Sequence, residues 1–208
     1  SCLICTKNKW NQFAHVKHSR LTFNLKICLD CGFVSQNPPL SNSYLENYYR
    51  DNYVAKNYNN SLLNIHQMDE PAKARINYLK DNNYISKKHK YLEIGPGAGT
   101  MMKLLSNEGI DILGIEPDPI ASRWIEDNVN LKVYGGFFDN IYDKEKEKWK
   151  KMLLDAVIFT HVLEHISNPI IFLKKLKNIR KQNGFLVIEV PNIERPFSEE
   201  WKWETYCD

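Results

Sequence analysis

The chain has 208 residues, of which 43% are hydrophobic, and its 28 Lys and Arg against 25 Asp and Glu leave a net charge of +3. That suffices for one packed α/β domain with a small appendage, and the near balance of charge gives no strong nucleic-acid or membrane footprint. No apolar run has the length of a transmembrane helix and no secretory signal is visible, so a cytoplasmic protein with a small-molecule partner is expected; the abundance of Lys, Asn and Ile fits an AT-rich bacterial genome.

The first 40 residues read as a small metal-stabilised unit. Cys2 and Cys5 form one C-x-x-C pair, Cys28 and Cys31 a second, with 22 residues between them. Two such pairs form the pattern of a structural zinc ribbon, because each C-x-x-C turn offers two thiolates to a tetrahedral ion. Gly32 suits the tight turn after the second pair. Two disulfides or four free thiols are the alternatives, and a reducing compartment disfavours the former. The run from Arg20 to Cys28 alternates as a strand does. So small a unit buries too little apolar surface to fold alone, so the ion would supply the difference. Asn37-Pro38-Pro39-Leu40 closes it as a rigid turn. Cys207 is left over as a spare thiol.

Residues 41–70 are rich in aromatics: Tyr44, Tyr48, Tyr49, Tyr53 and Tyr58. Tyr44, Leu45, Tyr48 and Tyr49 share a helical face. Two readings are open, a lid over a ligand or aromatic packing between the ribbon and the following domain; packing is the favoured one, since aromatics chiefly supply contact area. Asn59-Asn60-Ser61 matches a glycosylation sequon that would stay idle in the cytoplasm.

From residue 71 onward helices and strands alternate. A helix is expected from Pro71 to Lys80 with proline at its start. Strands are expected near 90–94, 111–116, 131–134, 154–160 and 184–190, and helices near 98–108, 118–128 and 169–182. Such alternation predicts βαβ units and a mostly parallel, Rossmann-like sheet. The mixed charges of Asp143 to Lys151 read as a solvated helix face.

The most informative stretch is Leu92-Glu93-Ile94-Gly95-Pro96-Gly97-Ala98-Gly99-Thr100, a strand running into a glycine-rich turn and a helix. Dinucleotide sites use a related G-x-G-x-x-G turn. Here the third glycine comes one residue early and Glu93 stands two residues before the first. A carboxylate there repels a pyrophosphate and suits an ammonium or a sulfonium, which favours S-adenosylmethionine (SAM) over NAD. Glu116 ends the next strand, 17 residues after Gly99, about where such sites place the carboxylate that binds ribose. Thr160 ends a further apolar strand and leads into His161-Val162-Leu163-Glu164-His165.

Taken together, L-E-I-G-P-G-A-G, G-I-E-P-D and H-V-L-E-H-I, with E-V-P-N after the last strand, resemble the class I SAM-dependent methyltransferases over roughly residues 72 to 192. The resemblance implies that Glu93, Gly95, Gly97 and Gly99 line the methionine and ribose part of SAM. It implies that Glu116 accepts the ribose hydroxyls, that Pro117 and Asp118 flank the adenine, and that Phe137, Phe138 and Asp139, with Thr160, complete the cofactor site. For the H-x-x-E-H segment several readings stay open. His165 or His161 is a general base with Glu164 orienting it, as a near-neutral pKa suits; the three hold a divalent cation, as a similar E-x-x-E-H segment does in some ubiquinone-pathway O-methyltransferases; or they merely cap a loop. An inverzincin protease site shares the pattern but needs a helix, whereas here the motif follows a strand. After Asn192 only sixteen residues remain, Trp201 and Trp203 among them, so the antiparallel strand pair that usually ends this fold is expected to be missing.

A four-cysteine ribbon ahead of such a domain looks like bacterial methyltransferases of sugar and surface-polysaccharide (capsule or LPS) pathways. O-methylation of a sugar or of a small phosphate-like decorating group is the leading expectation. C-methylation of a nucleotide-linked keto-sugar, RNA methylation and a non-catalytic SAM-binding scaffold are the alternatives. The sequence is silent about the acceptor's identity and about oligomeric state.

Overall fold

The computed structural model describes residues 1–18, 21–50 and 66–192. Tyr53, Tyr58, the Asn59-Asn60-Ser61 sequon, Trp201, Trp203, Cys207 and the expectation about a C-terminal strand pair fall outside the described residues.

Three short antiparallel strands open the chain: β1 (Trp10–His18), β2 (Leu21–Cys28) and β3 (Val34–Gln36), in the order β1-β2-β3. The alternation read from Arg20 to Cys28 is β2; β1 was not anticipated. Its register against β2 slips between Gln12 and Ala14, and the Gln12 side chain bridges the slip by donating to the carbonyls of Ala14 (2.9 Å) and Leu25 (3.0 Å). The Asn37–Pro38 peptide, which is cis, lies in the turn after β3. Helix α1 (Asn42–Tyr48) follows, capped by Ser41, whose hydroxyl accepts from the Tyr44 N–H.

The second sheet is five-stranded and wholly parallel: β4 (Lys90–Ile94), β5 (Asp111–Glu116), β6 (Val133–Gly135), β7 (Leu154–Thr160) and β8 (Arg180–Glu189), in spatial order β6-β5-β4-β7-β8. Its strands alternate between two apolar layers. Tyr91, Ala156 and Ile158 face one layer with α2 (His66–Asp81), α3 (Thr100–Asn107) and the end of α4 (Pro119–Trp124). Leu92, Ile94, Val157 and Phe159 face the other with α5 (Phe138–Lys144), α6 (Lys146–Met152) and α7 (Pro169–Ile179). A parallel sheet buried on both faces is what apolar runs joined by helices must form.

Some expected boundaries move for identifiable reasons. Helix α2 begins five residues before Pro71, which therefore sits inside the helix rather than at its start. Strand β6 is Val133–Gly135 rather than 131–134. The helix expected to reach residue 182 stops at Ile179, because Arg180 pairs with Leu154 and starts β8. The Arg180 guanidinium then donates to the carbonyls of Lys181, Gln182 and Gly184 at 2.6–3.1 Å, which pins the bulge between the two halves of that strand. The charged run at 143–151 is solvated as expected except at Trp149, which is fully buried and packs edge-on against Tyr134 at 5.2 Å. Trp149→Ala removes the largest side chain of that layer and is expected to cost about 3–5 kcal/mol; equilibrium urea unfolding measures it.

Candidate active site

Strand β4 has β5 on one side and β7 on the other, so the chain order reverses between β4 and β7. In open α/β sheets that reversal leaves a crevice at the carboxyl ends of the strands. A cavity of about 330 Å³ lies there. Its wall runs from the 94–98 turn past Glu116 and Pro117, Gly136 to Asn140, and Thr160 to Val162, to His165 and Asn168; Leu45, Glu46 and Tyr49 of the α1 segment and Arg75 of α2 complete it.

Gly95, Gly97 and Gly99 all have positive φ (68°, 55° and 77°), a region that costs a residue with a Cβ about 1–2 kcal/mol. The turn they form is stitched to β5: the Glu116 carboxylate accepts from the Gly97 N–H and the Asp118 N–H, both at 2.9 Å. A carboxylate has about four acceptor positions, so two remain for hydroxyls of a ligand. Gly99 does not line the cavity as expected. It starts α3 in the left-handed conformation, and a Cβ there would lie 2.8 Å from Ile125 Cγ1. The missing Cβ makes room for Ile125, just after α4. Asp118 also departs from expectation: its side chain accepts from the Ile120 and Ala121 N–H groups and caps α4, and only Pro117 of that pair reaches the cavity.

Glu93 is 3% exposed and Glu116 is 4% exposed. Burial pushes the Glu93 carboxyl up to about 8, with Arg75 opposing and Glu116 reinforcing the shift. Burial likewise raises Glu116 to about 7, against the two backbone N–H groups it accepts. Glu93 Oε2 lacks a hydrogen-bond partner among the described residues. An unsatisfied carboxyl bordering a cavity is poised for a cation or a donor from a ligand.

At the other end Phe137 and Phe138 line the wall. Phe138 belongs to the core and packs edge-on with Phe172 at 5.3 Å, whereas Phe137 meets Tyr49 edge-on at 5.7 Å. Asp139 also lines the cavity, its Oδ1 lying 2.7 Å from Lys175 Nζ.

The segment after β7 splits the three residues expected to work together. His161 turns sharply at φ 54°, its Nδ1 lies 3.6 Å from Glu164 Oε1 and its Nε2 lies 3.2 Å from Glu189 Oε1. Glu164 does not border the cavity and faces His161, one of the two histidines it was expected to orient, rather than His165. A 3₁₀ turn over Leu163–His165 carries His165 into the cavity wall. Desolvation at the cavity wall holds its imidazole below the ordinary histidine range, with His161 adding to the shift and Glu164 opposing it. It is therefore neutral at pH 7, with a lone pair available. Among the described residues, the groups that converge as metal ligands do not include His161, Glu164 and His165.

Sequence reasoning missed Thr100 and Arg75 as cavity residues and favoured packing over the lid reading for Tyr49. Tyr49 sits in the wall, edge-on to His165 at 6.4 Å, a position that fits the lid reading rather than the favoured one; burial raises its phenol. Glu46 accepts from Asn140 Nδ2 at 2.9 Å and ties the α1 segment to the rim. The i, i+4 spacing of Leu45 and Tyr49 was the available signal. Thr100 is buried at the start of α3, and its Oγ1 lacks a partner among the described residues.

Far along the chain, the thiols of Cys2, Cys5, Cys28 and Cys31 lie within 4.8 Å of one another. Cys2 and Cys31 are separated by 3.7 Å and Cys5 and Cys28 by 3.6 Å. Disulfide sulfurs would be about 2 Å apart, whereas thiolates around a tetrahedral zinc at about 2.3 Å lie about 3.8 Å apart. The donor set and spacing fit such an ion.

Comparison with known proteins agrees with this geometry. Residues 65–208 match the family model described as "Methyltransferase domain". The chain belongs to that family. Among curated proteins it is 26% identical over 113 residues to the mitochondrial ubiquinone biosynthesis O-methyltransferase of Rattus norvegicus, covering 50% of this chain and 31% of that protein. It is 28% identical over 110 residues to the Schizosaccharomyces pombe enzyme of the same name, covering 52% and 40%. The chain thus spans less than half the length of these relatives. Of solved structures, the plantazolicin methyltransferase in complex with a pentazolic desmethylPZN analogue and SAH aligns with a TM-score of 0.56 at 17% identity, over 78% of this chain and 65% of that one. A SAM-dependent methyltransferase from Archaeoglobus fulgidus is 27% identical over 60% of this chain and 54% of its own, with a TM-score of 0.46. The domain is that of a SAM-dependent methyltransferase.

The raised carboxyls make cofactor binding proton-linked. A cationic ligand at Glu93 requires its charged form, so binding below pH 8 must expel a proton. SAM affinity is expected to rise from pH 6 to pH 8, by up to about tenfold per unit, with buffer-dependent heats in calorimetry. Because both carboxyls sit above their unfolded value of 4.5, the sign for the ligand-free fold is opposite: its stability falls as pH rises from about 4.5 towards 8.

Proposed function

We propose that this protein binds SAM across the tips of β4 and β5 and methylates an oxygen of a small hydroxyl-bearing acceptor, a sugar or a small decorating group of a bacterial surface polysaccharide, while Zn²⁺ held by Cys2, Cys5, Cys28 and Cys31 stabilises the N-terminal ribbon. One observation carries the reading: a single cavity joins two buried carboxyls at adjacent strand tips to a neutral histidine in its wall.

SAM supplies an electrophilic methyl group on a sulfonium. Glu116 holds the ribose hydroxyls with its two remaining acceptor positions, and charge-assisted bonds of this kind are the stronger ones. Glu93 faces the cationic amino-acid end, and Phe137 and Pro117 pack the base. His165 accepts the acceptor's proton at the moment of transfer, which turns a poor nucleophile into a competent one. Tyr49 and the α1 segment exclude water and hold the acceptor in reach.

Oxygen as the target draws support from the O-methyltransferase relatives and from a base that is neutral at pH 7. The sugar reading rests on the ribbon that precedes the domain. Among the described residues the wall carries four carboxyl groups, those of Glu46, Glu93, Glu116 and Asp139, and its one guanidinium is already paired with Glu189. That balance favours a neutral hydroxyl over a phosphate-like group.

A panel of sugars, nucleotide sugars and phosphorylated analogues, read by product mass, tests the acceptor; a gain of one methyl on a neutral hydroxyl is expected, and transfer to carbon or to RNA overturns the reading. His165→Ala should lower kcat by about 10²–10⁴-fold while SAM affinity stays close to wild type. Metal analysis should find one zinc per chain, lost together with ribbon folding in the C28S/C31S variant.

A further inference from the structure

Glu189 does not border the cavity, yet it anchors a residue that does. Its carboxylate, at the end of β8, takes both ends of the Arg75 guanidinium: Nε donates to Oε2 at 2.7 Å and Nη2 donates to Oε1. The same Oε1 lies 3.2 Å from His161 Nε2, and the Glu189 carbonyl accepts from the His161 N–H at 2.9 Å. The carboxylate is thus fixed from helix α2 on one side and from the loop after β7 on the other. Arg75 lines the cavity beside Glu93, and each lies within range of the other's charge. Arg75 therefore has two carboxylates within its range. It bonds to the half-exposed one on β8 and leaves the fully buried one with an oxygen unpartnered among the described residues.

We propose that Glu189 is a positioning residue for the cofactor site: by holding Arg75 in a bidentate pair, with His161 bracing the pair, it keeps that guanidinium from closing on Glu93 and so leaves Glu93 free for the ammonium of SAM. The proposal rests on the assignment of SAM to this cavity. It explains a geometric preference that burial alone would reverse. An Arg–Glu pair is worth most in low dielectric, so Arg75 released from Glu189 would move to Glu93 and occupy the position that the ligand's cation needs. Bidentate geometry is what makes the outer carboxylate competitive, because two parallel bonds hold a planar guanidinium more firmly than one.

The test is a double-mutant cycle read by calorimetric SAM affinity, with melting temperature followed in parallel. Glu189→Gln is expected to weaken SAM binding by about tenfold or more, the scale of one charge-assisted bond. Glu189→Asp, which keeps the charge, should recover part of the loss. The decisive arm is R75M/E189Q: with no guanidinium to collapse, affinity should return to near the wild-type value. Glu189→Gln binding as tightly as wild type overturns the proposal, and so does a double variant that binds no better than Glu189→Gln, since Arg75 would then be serving the cofactor directly. If wild-type protein itself fails to bind SAM, the cofactor assignment falls, an outcome separate from either of these.

Discussion

Two carboxyl groups taken out of water at neighbouring strand tips are the constraint around which this molecule is organised. Glu93 and Glu116 are almost completely buried, and burial raises both carboxyls well above the ordinary range. Such groups cost stability in a ligand-free fold. The chain offsets part of that cost at Glu116, whose oxygens accept backbone N–H groups from the glycine-rich turn and from the start of α4. Those two bonds also fix the turn against β5. The proposed cofactor subsite and the local fold are therefore one structure, and Glu93 is the carboxyl left with an oxygen unpartnered among the described residues.

Around that pair, elements from distant parts of the chain assemble one wall. The α1 segment reaches the rim through the Glu46–Asn140 bond and sets Tyr49 against Phe137 and His165. Helix α2 sends Arg75 to the end of β8, and Glu189 in turn faces the loop that carries His161. The left-handed backbone at His161 turns the chain out of β7 so that the following 3₁₀ turn delivers His165, not Glu164, to the cavity. Both histidines of the H-x-x-E-H segment thus border the cavity, while Glu164 faces His161 outside it.

The parallel strands were legible because each is an apolar run flanked by turn residues, and β4, β5 and β7 match their expected limits. Strand β1 was not, since its residues lack clean alternation and its register slips at Gln12. Motif spacing located Glu93, Glu116 and Pro117 at the cavity, but spacing carries no direction: Gly99 and Asp118 lie in the same motifs and serve helix packing and capping instead. Arg75 was hidden, and the lid reading of Tyr49 disfavoured, for another reason. Each acts through contacts with residues about ninety or more positions away, Glu189, Phe137 and His165, which no local pattern announces. The four cysteines were the opposite case, because thiolate pairs at C-x-x-C spacing have few other uses, and their sulfurs do converge.

The most direct measurement is a crystal structure with S-adenosylhomocysteine bound. The ribose should hydrogen-bond to Glu116, the amino group should face Glu93, and the sulfur should point towards the space between Tyr49 and His165. An adenosine lying elsewhere, or a ribose that leaves Glu116 bonded only to Gly97 and Asp118, would contradict the account.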